Sequence, residues 1–139
     1  MPGSNKTSEQ SSEIIMETID QYISQYKETR EFKDWSAFKF EGISDEEEIE
    51  KQKMRYRLGV GLFNELKIPE DYEFVSFMFE QEIQLRKTEI ENQEPDVLYL
   101  YAYFISRFKN INDIWKFLDV KYIDFDSDIG FDTNYFLTF

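Results

Sequence analysis

The stretch PDVLYLYAYFISRFKN, residues 95–110, decides the fold, because it can be read in two ways. Tyr99, Tyr101 and Tyr103 alternate with Leu100, Ala102 and Phe104, which is the two-residue period of a strand. The same residues are apolar nearly all round, and they follow Pro95 and Asp96. That pair is a helix start signal: proline presets φ at the first helical position, and an acid in the first turn meets the positive end of the helix dipole. As a helix the segment is the short central member of an all-α protein, whereas as a strand it demands a sheet partner.

The flanking segments favour the helix. Upstream, Pro69, Glu70 and Asp71 repeat the start signal before Tyr72, Val75, Phe79, Ile83 and Ile90. Phe74, Phe77 and Met78 widen that apolar face, so the helix is expected to be largely buried. In residues 44–69, Ser44 and Glu47 have capping-box spacing, and Glu47 and Lys51 stand at i,i+4. Ile49, Tyr56, Val60 and Phe63 share one face there, an apolar side, and Pro69 stops the pattern. Gly59 and Gly61 each weaken this helix by about 1 kcal/mol relative to alanine, and they permit a close helix crossing. The Gly-Val-Gly run is no phosphate loop, since it lacks further glycines and follows no strand.

Nearer the N-terminus, Ile15, Ile19, Tyr22 and Tyr26 form a stripe with Ile23 beside it. Phe32, Trp35 and Phe38 recur every third residue, which predicts a short helix or turn ended by Gly42. Downstream, Asn112 is placed to cap the segment DIWKFLDV. The expected fold class is therefore all-α: a compact multi-helix bundle, with stacked helical hairpins as one arrangement. Its helices fall near 12–28, 45–67, 70–91, 95–109 and 112–119, and a short extended, non-helical segment follows at the C-terminus. Residues 1–11, polar and Ser-rich, are expected to be a disordered tail, with MPGS an expression remnant. Residues 12–139 form one helical domain, a usual size.

Composition excludes much chemistry. The chain has neither cysteine nor histidine. Disulfides, thiolate nucleophiles, Ser-His-Asp catalysis and the usual zinc and iron sites are thereby removed. Carboxylates are plentiful, but nothing selects a catalytic pair, so neither an enzyme nor a cofactor is expected. Net charge is −13, from 29 acidic and 16 basic residues. Such a surface repels phosphate backbones and attracts basic partners, so the expectation is no nucleic acid and a basic protein partner. No apolar run reaches the roughly 20 residues of a membrane span, and the expected location is cytoplasmic.

The C-terminal stretch YIDFDSDIGFDTNYFLTF, residues 122–139, concentrates carboxylates at Asp124, Asp126, Asp128 and Asp132. An EF-hand loop counted from Asp124 needs glycine at its sixth position and glutamate at its twelfth, but Ile129 and Tyr135 stand there. Ile123, Phe125, Ile129 and Phe131 alternate with the aspartates, the pattern of an extended segment with one wet face. Asp124, Asp126, Asp128 and Asp132, beside Phe131 and Tyr135, are the expected partner-binding residues: a charged rim around an apolar anchor. The alternative is a carboxylate-based divalent-metal protein or enzyme using Asp124 to Asp132. The second acidic run, DEEEIE at 45–50, reads as helix capping. Trp35 and Trp115 read as core residues, and either one, if exposed, becomes a binding candidate. Small acidic immunity and antitoxin proteins, which cover a toxin's basic active site, share this profile of size and charge. The likeness is of profile alone, with no motif behind it.

Overall fold

A computed structural model describes residues 8–31 and 35–123. The described residues form α1 (Ser8–Thr29), α2 (Asp45–Gly61), α3 (Tyr72–Arg86), α4 (Pro95–Ser106) and α5 (Ile114–Ile123), with 3-10 turns at Ser36–Phe38, Phe63–Glu65 and Ile111–Asp113. No strand occurs among them, so residues 95–106 are a helix. Tyr101 is fully buried while Tyr103 is 44% exposed. Residues two apart lie about 200° apart around a helix, so the alternating tyrosines divide between core and solvent.

Several boundaries move. α1 begins at Ser8, earlier than expected. α3 begins at Tyr72 and not at Pro69. Asp71, at its N-cap position, is fully buried, and its side chain accepts no capping hydrogen bond from α3. Its carboxylate accepts hydrogen bonds from Tyr26 Oη (2.7 Å), Arg30 Nη1 (2.8 Å) and the backbone N–H of Lys67 (2.7 Å). Asn110, not Asn112, supplies the cap before α5, accepting from the N–H of Asn112 at 3.1 Å. α5 runs through Ile123, so Tyr122 and Ile123 are helical where an extended segment was expected. The rest of that expected segment lies outside the described residues.

Pairwise contacts give the helix directions. α1 and α2 run parallel, touching at Asp20–Arg57 (3.0 Å) and Lys27–Glu65 (2.6 Å). α2 and α4 are also parallel, joined from Gln52–Glu94 at one end to Phe63–Phe104 at the other. α3 runs opposite to α2, and α5 lies along α3 through Phe79–Phe117 and Lys116–Ser76. The core between them contains Ile19, Ile23, Leu58, Phe74, Phe79 and Phe104.

α2 turns its apolar face outward. Tyr56, Val60 and Phe63 are 43–47% exposed, whereas Glu48, Lys51, Gln52 and Arg55 are buried with Leu58 and Leu62. The cause is the strap formed by the end of the 3-10 turn at Phe38 and the non-helical residues 39–43, which packs on α2 and α3 and carries backbone groups that need partners. Arg55 Nη1 donates to the carbonyl of Phe38 (2.9 Å), and Lys51 Nζ to that of Lys39 (2.9 Å). Gln81 Oε1 accepts from the N–H of Phe40 (2.9 Å). Glu48 Oε2 accepts from the N–H groups of Glu41, Gly42 and Ile43 at 2.8–3.3 Å. Lys51 pairs with Glu41 at 2.5 Å, where the sequence suggested Glu47. The Ser44 cap does form, accepting from the N–H of Glu47 at 3.2 Å.

Arg55 is the centre of this arrangement. Its Nε meets Glu82 Oε2 at 2.5 Å, and Gln52 Nε2 donates to Glu82 Oε1 at 2.8 Å. Burial pushes the Glu82 carboxyl above its ordinary range, while Arg55 and Gln52 pull it back. Tyr101 donates its hydroxyl to the carbonyl of Arg55, and burial raises its pKa as well.

Gly59 permits the close approach of α2 and α4. A methyl group there would stand 2.8 Å from Tyr101 Oη and 2.9 Å from Leu100 Cδ2. At Gly61 it would meet Ile23 Cδ1 at 2.5 Å, the free end of a flexible side chain.

Two outcomes are expected in urea unfolding. Gly59→Ala loses about 1–3 kcal/mol, because the tyrosine it strikes is pinned by its hydrogen bond. Gly61→Ala stays within about 1 kcal/mol of wild type, since Ile23 can rotate and alanine favours the helix. Equal losses at both positions would contradict this packing. Arg55→Met alone costs about 3–5 kcal/mol, leaving Glu82 buried and unpaired, and adding Glu82→Leu recovers part of that loss. Additive losses in the double variant would show that the two side chains are not coupled.

Candidate interaction surface

The six residues expected to bind a partner, Asp124, Asp126, Asp128, Phe131, Asp132 and Tyr135, all lie outside the described residues. Within the described residues a different surface emerges, built from the inverted face of α2. Ile49, Tyr56, Val60 and Phe63 follow one another at spacings of seven, four and three, which is one helical stripe. At about 1.5 Å per residue the stripe runs roughly 21 Å. α4 supplies its other bank. The Phe63 ring stacks on Tyr103 with centroids 6.1 Å apart and planes 15° apart, and Leu100 lies half-buried beside Gly59.

The N-terminal end of the stripe opens into two adjoining recesses. A larger one of about 860 Å³ is bordered by Ile49, Tyr56 and Val97, with Gln52, Glu94, Asp96, Lys53 and Arg57 among its polar neighbours. Gln52 is not free to meet a ligand there, because its amide is spent on Glu82, on the carbonyl of Glu94 (3.2 Å) and on the N–H of Glu94 (2.9 Å). A second recess of about 540 Å³ surrounds Ile49 with Asp45, Glu46, Glu50, Glu89 and Glu91, and Lys53 is the single cation on its rim. Lys53 is already paired with Glu50 at 3.1 Å. Among the described residues no ion pair holds Asp45, Glu46, Glu89 or Glu91.

The run at 45–50 thus has a further consequence beyond capping. Its outward carboxylates converge with Glu89 and Glu91, which reach the same place from the α3–α4 connection. The sequence separates these groups by about forty positions, and only the parallel packing of α2 and α4 brings them together. No group of three or more metal-ligating side chains suited to an ion occurs among the described residues.

The two tryptophans part company. Trp35 is half-buried and packs edge-on against Phe77 at 4.5 Å, as expected of a core residue. Trp115 is 73% exposed, so it stands as a separate apolar point on α5, with exposed Ile111 one turn before it. No helix among the described residues is long and apolar enough to cross a membrane.

Comparison with protein-family models, curated proteins and solved structures returns no match to this chain.

Proposed function

We propose that this chain is a non-catalytic, acidic protein-binding module that acts in the cytoplasm by covering a basic partner, in the manner of immunity or antitoxin proteins. The observation that carries the reading is the inversion of α2. Its charged stripe is buried, and its apolar residues Tyr56 and Val60 face solvent together with Phe63 of the 3-10 turn that follows it. Apolar side chains left outside and rimmed by polar groups are the mark of an interaction surface.

Charge supplies the second support. Around Ile49 five acids of the smaller recess face one cation, Lys53, and the larger recess adds Arg57, which is paired with Asp20, in a chain of net charge −13. An electrostatic field of one sign speeds encounter with the opposite sign and discourages like-charged competitors. A polar rim around apolar anchors divides the work: the rim sets the association rate, and the anchors set the dissociation rate.

The test is capture of a partner from native lysate, followed by stopped-flow mixing of the purified pair at low and high salt. Two charge variants are compared with wild type. One converts Glu46, Glu50, Glu89 and Glu91 to glutamine, and the other converts Asp124, Asp126 and Asp128 to asparagine. At least one is expected to slow association about tenfold at low salt and to flatten its salt dependence. Failure to retain any partner, or unchanged association in both variants, would overturn the proposal.

A further inference from the structure

Resting on the protein-binding reading, we infer that the seam between α2 and α4 is a docking groove for a basic amphipathic helix. Three observations select that occupant.

The first is shape. Half-buried Ile49 and exposed Tyr56 and Val60 on α2 line up with Phe63 of the following 3-10 turn, and Tyr103 stands beside them on the α4 side. A line of about 21 Å matches about four turns of a partner helix. Helix-in-groove recognition uses anchors on one face of the incoming helix at i, i+3 or i+4, and i+7; that set covers about 10.5 Å, so a strip of this length takes the same pattern continued for about two further turns. The wall is firm, because Phe63 stacks on Tyr103 and also meets Phe104 at 5.7 Å. The floor is firm as well, since Tyr101 beneath it is fully buried and bonded to the Arg55 carbonyl.

The second is charge. The groove ends at Ile49 among Glu46, Glu50, Glu89 and Glu91. An incoming helix therefore gains most if cationic side chains flank its apolar face at that end. The long stems of lysine and arginine can lie along apolar surface while their charged heads reach the carboxylates.

The third excludes the competing occupant. A second copy of this chain also carries a net charge of −13, so its approach meets overall like-charge repulsion, which a basic helix does not. Like-charge juxtaposition opposes that pairing.

The experiment uses the full chain and a synthetic 18-residue peptide with leucines on one helical face, lysines on its flanks and one fluorescent label. A scrambled peptide of identical composition has no apolar face. Binding is followed by fluorescence anisotropy, and circular dichroism and urea midpoints verify that each variant folds. Val60→Asp and Tyr103→Ala alter exposed positions and are expected to weaken binding of the amphipathic peptide at least about tenfold, as loss of a central anchor does. Trp115→Ala, on the separate apolar point of α5, is expected to leave it unchanged. The scrambled peptide is expected to bind at least about tenfold more weakly to wild type. Equal binding of both peptides, or binding unaffected by Val60→Asp and Tyr103→Ala, would overturn the groove, and the protein-binding reading would then stand or fall on its own partner-capture test. A wild-type dimer that Val60→Asp dissociates, measured by sedimentation, would assign the seam to a second copy and overturn the inference equally.

Discussion

A guanidinium with no exposed surface organises this molecule. Arg55 reaches Glu82 on α3 and the carbonyl of Phe38 on the strap, while its own carbonyl accepts the Tyr101 hydroxyl from α4. Three segments distant in sequence are therefore tied to one residue of α2. Removing a charge of that size from water costs several kcal/mol unless paired and bonded, so the partners come as a set. Neighbouring polar groups follow the same logic. Glu48 and Lys51 satisfy backbone groups of the strap that a purely apolar α2 would leave stranded, and Gln81 does the same from α3.

This explains what was legible in the sequence and what was not. α3 and α4 were legible because their apolar positions are numerous, and for α4 the proline and acid also mark the entry, whereas α3 starts three residues after its proline. The helical state of residues 95–106 follows from such signals despite the alternating tyrosines. α2 was legible as a helix but not in its orientation. Its apolar stripe of Ile49, Tyr56, Val60 and Phe63 satisfies the usual rule for a core face, yet Arg55 and its companions take that position. The rule compares stripes within one helix and does not know that a strap will lie across another side and demand donors and acceptors there. The Gly59 crossing was foreseen because a glycine pair in a long helix pattern needs a reason. Its partner Tyr101 was not foreseen.

The candidate surface was half legible for a related reason. Acids at 45–50 can be read as capping groups, and Ser44 does cap the helix. Their meeting with Glu89 and Glu91 is a property of packing, invisible along the chain. Exposure of Trp115 is likewise a property of where α5 lies on α3, not of its neighbours in sequence. The carboxylates of the C-terminal stretch, most conspicuous in the sequence, lie beyond the described helices.

The parallel run of α1, α2 and α4 has a consequence for how the chain acquires its structure. Neighbouring antiparallel helices can close a hairpin through a short loop, but parallel neighbours must come from distant parts of the chain. Arg57 finds Asp20 thirty-seven residues away, and Tyr101 finds Arg55 at a separation of forty-six. Loop-closure entropy comes due before such contacts form, and high contact order slows folding relative to simple helical bundles. During synthesis, Arg55 emerges well before Glu82, so α2 has no dry environment to enter until α3 has followed it. The polar stripe that fixes the mature architecture thus waits on partners that lie later in the chain, Glu82 and Tyr101.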